Sequence, residues 1–123
     1  MRFTFNHGTC WDTPEWLVSF DAPQELADEL YVISPQSNKD GTSRGIVMVD
    51  RDKVPKASFP GANDFSYTLI WIRSYGKGRV YYSQLGHYQD VFTVPSVARV
   101  MLNGLQYVTG DLKVPPAKFK PTP

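Results

Sequence analysis

Residues Phe65–His87 read FSYTLIWIRSYGKGRVYYSQLGH, and their reading decides the fold. Two apolar runs, Tyr67–Ile72 and Val80–Leu85, flank Gly76-Lys77-Gly78. Glycine supplies the positive φ of a tight reversal, so the runs are expected to form a β-hairpin over about 65–85. The first run is apolar at successive positions: Leu69 and Trp71 alternate with Ile70 and Ile72. A half-exposed strand alternates apolar with polar, so this one is expected inside a sheet covered on both faces, with Trp71 in the core. The second run ends at Gly86-His87, a polar ring at a strand end, where open α/β sheets place ligands.

The chain has 123 residues, room for one domain with one modest core. It is 41% hydrophobic and 20% charged, as a packed domain is. Thirteen basic against twelve acidic residues give a net charge of +1 with no basic run, so no electrostatic footprint for nucleic acid or an acidic membrane is expected. No apolar run approaches a membrane span, and Met1–Asn6 lacks the apolar region of a signal peptide. The single cysteine excludes an internal disulfide and leaves the compartment unspecified.

Outward from the hairpin, Arg2–Phe5 alternates and predicts a short strand. Pro14–Leu17, capped by Thr13, and Pro23–Ala27 predict short helical turns. Asp28-Glu29 leads into a predicted strand at Leu30–Ile33. The polar stretches 34–45 and 50–64 read as loops around a β-branched strand at Ile46–Val49. After His87, the apolar residues Val97, Val100, Met101, Gly104, Leu105 and Val108 fall on one helical face. Thr93 or Val94 as cap, Pro95 in the first turn and Gly110 just past the end bound a helix over about 94–109. Gly104 in that face predicts close approach to the sheet. The tail, 113–123, carries prolines 115, 116, 121 and 123 and is expected to be extended.

These residues carry a family resemblance. Trp71–His87, with its aromatic strand, its YGKGRV turn and its closing LGH, resembles the C-terminal signature of ThuA-like, trehalose-utilisation-type domains. Asp28-Glu29-Leu30-Tyr31 resembles the DELY element that precedes it there. Asn103–Tyr107, Thr109-Gly110 and Val114-Pro115 resemble the helix and tail that end some members. The resemblance spans about residues 25–119. It implies an α/β fold: the C-terminal half of a three-layer flavodoxin-like, class I glutamine-amidotransferase-like domain. The chain would then divide into a partial ThuA-like domain, 1–112, and the proline-rich tail. The βα units carrying most of that family's parallel sheet have no counterpart here.

In amidotransferase-like relatives, a histidine after the corresponding strand serves a cysteine nucleophile, and a glutamate stands two residues on. His87 matches the histidine and is the candidate catalytic residue, since an imidazole can act as general base near neutrality. Gln89 stands where the glutamate would, and an amide cannot carry the charge that stabilises an imidazolium. A hydrogen-bonded structural histidine is the competing reading. Glu29, Tyr31, His87 and Gln89 are the candidate ligand-binding residues. Asp28 and Glu29 are adjacent, so one is expected to face the His87 end of the sheet and the other solvent, unless each makes only a loop ion pair.

Cys10, in Gly8-Thr9-Cys10-Trp11, faintly resembles a papain-like nucleophile, but His7 stands where the flanking cysteine would be; an inert thiol is expected. No ligand spacing supports a metal site of His7, Cys10 and His87, and no cofactor is implied. Trp11, Trp16, Trp71, Tyr81 and Tyr82 could stack on sugars, although aromatics are more often core.

Two function classes follow. One is a ThuA-like carbohydrate enzyme, or part of one, with a small sugar-type ligand near His87. The other is a non-catalytic binding or interaction module on the same fold remnant. An apolar hairpin with one covering helix is also expected to self-associate, or to need a partner supplying the missing N-terminal half.

Overall fold

A computed structural model of the chain describes residues 2–7 and 24–113, with no side-chain detail for 2–7 and 24. The described strands are β1 (Arg2–His7), β2 (Gln24–Ala27), β3 (Arg44–Val49), β4 (Thr68–Tyr75) and β5 (Gly78–Ser83). They form a five-stranded sheet in the order β2-β1-β3-β4-β5, antiparallel at every described pairing. One long helix, α1 (Pro95–Thr109), follows. The described architecture is thus mixed α/β.

The β4–β5 hairpin forms because its turn can be made cheaply. Tyr75 pairs with Gly78 across Gly76-Lys77, and Gly76 takes φ +56°. β4 lies between β3 and β5. Leu69 and Ile70 point to opposite faces, yet both are fully buried, so the sheet is covered on both sides at this level. Trp71 is a correction. It is half-buried and stacks on Tyr82, its partner across the hairpin, with ring centroids 5.0 Å apart. The neighbouring Tyr81 is the ring that turns inward, under α1.

α1 begins with Pro95 in its first turn, and Val94 caps it without a side-chain bond. Gly110, at φ +92°, closes it by donating its N–H to the Gln106 and Tyr107 carbonyls. The buried face is Val97, Val100, Asn103, Gly104 and Tyr107. The expected face is therefore displaced. Leu105 is 63% exposed, because the line of closest approach runs through Gly104 and Leu105 lies about 100° further round. A β-carbon on Gly104 would sit 2.6 Å from the Cδ1 and Cζ of Tyr81.

Tyr81 donates its hydroxyl to the Val100 carbonyl at 2.9 Å, tying β5 to α1. Burial holds its pKa well above the ordinary 10.0. Below pH 10 the phenol is neutral whether the chain is folded or not. Above it the unfolded chain ionises first, so stability is lost as pH rises. Denaturation midpoints should therefore be level up to about pH 9 and fall beyond about pH 10. Tyr81→Phe should flatten that fall while losing about 1 kcal/mol at neutral pH with the hydrogen bond. An unchanged alkaline fall in the variant would contradict the buried phenol.

The segment between β2 and β3 departs most from expectation. Gln24–Ala27, read as a helical turn, is a strand, and Leu30–Ile33, read as a strand, has no regular structure. The reason lies in where its backbone bonds go. The Gln84 side chain accepts the Tyr31 N–H at 2.7 Å and donates to the Tyr31 carbonyl at 3.3 Å, in place of a neighbouring strand. The stretch Asp50–Tyr67 is a loop of three 3-10 turns. The expected turn at Pro14–Leu17, Cys10, Trp11, Trp16 and the tail from 114 lie outside the described residues, as does the His7 side chain.

Candidate functional site

Two stretches far apart in sequence meet at the end of β5: Asp28–Tyr31 and Gln84–Tyr88. Asp28 organises the contact. Its carboxylate is fully buried and accepts four backbone N–H groups: Gly86 at 2.7 Å, Glu29 at 2.9 Å, His87 at 3.1 Å and Tyr88 at 3.3 Å. Three consecutive N–H groups converging on one carboxylate require a sharp turn. Gly86 provides it at φ +122°, where a β-carbon would also lie 2.5 Å from the Phe92 ring. The LGH sequence is thus a backbone cradle for Asp28, and it fixes the point from which the His87 side chain leaves.

Gln84 completes the mooring. It is buried, and besides its two bonds to Tyr31 it donates to the Thr68 carbonyl at 2.8 Å. Glu29 and His87 are thereby set opposite each other. His87 Nδ1 lies 2.8 Å from Glu29 Oε2, and the Tyr31 hydroxyl donates to the same oxygen at 2.9 Å. The His87 and Glu29 side chains are 53% and 42% exposed, so the pair is open to solvent. The bond it donates to Glu29 and that carboxylate's charge raise the Tyr31 phenol above its usual pKa. Tyr88 stands edge-on to the His87 ring at 4.8 Å and also lines a cleft of about 400 Å³ with Leu26, Asp90 and Val91.

A carboxylate on Nδ1 fixes the imidazole tautomer and leaves Nε2 as a hydrogen-bond acceptor. The same carboxylate stabilises the ring when it takes a proton. Position 89, where the resemblance places a glutamate, carries an amide, as the sequence shows; the carboxylate beside the ring is that of Glu29, from the other side of the turn. Gln89 opens a 3-10 turn, is exposed, and stays outside the hydrogen-bonded group. Of the candidate residues, the structure brings together Glu29, Tyr31 and His87. Asp28 and Glu29 were expected to separate, one to the His87 end of the sheet and one to solvent; they lie in an irregular segment, not a strand, and both turn to the His87 end, Asp28 to its backbone N–H groups and Glu29 to its imidazole.

The organising roles of Asp28 and Gln84 are not visible from local pattern. The available signal was a glutamine closing an apolar strand and an acid beside the candidate Glu29. Among the described residues no three His, Cys, Asp or Glu side chains gather as a metal site, and no helix is long and apolar enough to cross a membrane.

Compared with protein-family models, the chain matches ThuA, described as trehalose utilisation, over residues 16–108. That span contains both stretches of the site. Comparison with curated proteins and with solved structures gave no match.

Proposed function

The chain belongs to the ThuA, trehalose-utilisation family, and we propose that Glu29, Tyr31 and His87 form its site for a small sugar-type ligand. The observation that carries this reading is the 2.8 Å contact between Glu29 Oε2 and His87 Nδ1, held between two buried anchors at an exposed surface. In this reading His87 Nε2 accepts the O–H of a ligand hydroxyl. Where chemistry follows, the proton passes to Nε2 and Glu29 balances the imidazolium. Tyr31 and Glu29 offer further partners to the hydroxyl rim. The finer fold assignment, the C-terminal half of a three-layer flavodoxin-like domain, belongs to the same proposal. Its one point of support is β4, covered on both faces; the antiparallel pairing of all five described strands departs from the parallel sheet of a flavodoxin-like domain. The second reading, a binding module without chemistry, draws on the amide at Gln89.

An exposed ion pair contributes little to stability, about 0–1 kcal/mol. His87→Ala should therefore leave the unliganded melting temperature within about 3 °C of the parent. It should also abolish the rise in melting temperature that millimolar trehalose or glucose produces in the parent chain. Glu29→Gln should reduce that rise. A parent chain that neither sugar stabilises would contradict the reading. A large unliganded loss in His87→Ala would make the histidine a structural one.

A further inference from the structure

The helix α1 carries one charged residue, Arg99, between Pro95 and Thr109. A helix that packs on a core by one face usually shows water a charged one, and a helix apolar on both sides is usually covered on both. The face of α1 turned away from the sheet consists of Pro95, Ala98, Arg99, Leu102, Leu105 and Thr109, all exposed. Leu102 is 50% exposed and Leu105 63%, and residues three apart are neighbours on a helix surface. The Thr109 hydroxyl is turned back to the Gln106 carbonyl at 3.1 Å and to Asp111 Oδ2 at 2.9 Å, so covering it strands no polar atom. Self-association was expected from an uncovered hairpin; β4 is covered on both faces at Leu69 and Ile70, and the open leucines are on α1.

The spacing on that face selects its occupant. Ala98, Leu102, Leu105 and Thr109 stand at intervals of four, three and four, the repeat of a coiled-coil seam. Those intervals read the same in both directions. Two copies of α1 laid antiparallel therefore bring Leu102 of each against Leu105 of the other, and Ala98 against Thr109. Large side chains meet in the middle and small ones at the ends. Arg99 argues for the same direction. Parallel copies would set the two guanidinium groups side by side. Antiparallel copies place Arg99 opposite Val108, so the two charges stand about 13 Å apart along the axis, where salt screens them. Each then lies beside Gln106 of the other copy, whose amide oxygen can accept its hydrogen bond. We infer that α1 is the contact surface of a two-fold symmetric homodimer centred on Leu102 and Leu105. The surface uses none of Glu29, Tyr31 and His87. One pair of 15-residue helices, each about 22 Å long, makes a small interface, so the dimer is weak, with a Kd on the order of 10–100 μM.

Sedimentation velocity on the full chain, from about 5 to 500 μM, should show monomer giving way to dimer. Leu102→Glu and Leu105→Lys each set a charge against a leucine of the other copy, and each should raise the Kd at least about tenfold. Both side chains face solvent in the monomer, so thermal melts of the variants at low micromolar concentration should match the parent. The sharpest sample is an equimolar mixture of the two variants. In the antiparallel register the new carboxylate of one faces the new ammonium of the other, and one Leu102–Leu105 contact is kept. The mixture should therefore dimerise at concentrations where each variant alone is monomeric. A parent that stays monomeric throughout, or dimerisation undiminished in both variants, would overturn the α1 interface. Variants that are monomeric alone and remain so when mixed would overturn the antiparallel pairing.

Discussion

Asp28→Ala is expected to cost on the order of 3–5 kcal/mol of folding stability, the largest loss from any single substitution considered. The carboxylate is fully buried and accepts four N–H groups, three of them from consecutive residues of the Gly86–Tyr88 turn. Truncation leaves those donors facing a cavity. A buried donor without a partner costs about 1–3 kcal/mol, and the four costs are not additive because the turn can relax or admit water. Relaxation has its own consequence, since Gly86 at φ +122° is held in place by the bonds to Asp28. Asp28→Asn keeps the shape and one acceptor oxygen, so it should lose roughly half as much. Urea denaturation followed by circular dichroism measures both. A loss below about 1 kcal/mol for the alanine variant would mean that the cradle does not organise this end of the sheet.

The second large effect is expected at Gly104. A leucine there would drive its side chain into the Tyr81 ring, where even a β-carbon comes within 2.6 Å of three ring atoms. Tyr81 cannot yield easily, because its hydroxyl is bonded to the Val100 carbonyl of the same helix. Overpacking of this kind costs about 1–3 kcal/mol, and the rigid contact places Gly104→Leu near the top of that range. Gly104→Ala is the sharper control. In an exposed helix it would gain about 1 kcal/mol of helix propensity. Here the contact with Tyr81 should cancel or reverse that gain. A stabilised alanine variant in a thermal melt would show that α1 stands further from β5 than described.

These two sites mark what the sequence could and could not disclose. The hairpin, its Gly76 turn and the extent of α1 were legible because each rests on local rules: apolar runs, a glycine at positive φ, a proline and a glycine bounding a helix. Gly104 was legible for the same reason, as a glycine where the helical pattern wants a side chain. The face of α1 was less so, because Leu105 is as apolar as its buried neighbours and only the position of Tyr81 excludes it. Residues 24–33 were misread because their hydrogen bonds are not local. Tyr31 is held by a side chain 53 positions away, and Asp28 by backbone groups 58 to 60 positions away. Of the candidate site, Glu29, Tyr31 and His87 could be named from sequence, but their pairing could not. The amide at position 89 argued against a charged partner for His87, and the partner comes instead from the DELY segment.

The central claim is that Glu29 holds His87 by Nδ1 and leaves Nε2 to a ligand. Long-range proton–nitrogen correlation spectra of the imidazole rings test it directly, and the chain has only two histidines to assign. In the neutral ring the account predicts that His87 carries its proton on Nδ1. Trehalose should then shift the Nε2 resonance, and Glu29→Gln should weaken the preference for that tautomer. A His87 ring protonated mainly on Nε2, with neither nitrogen responding to trehalose, would contradict it.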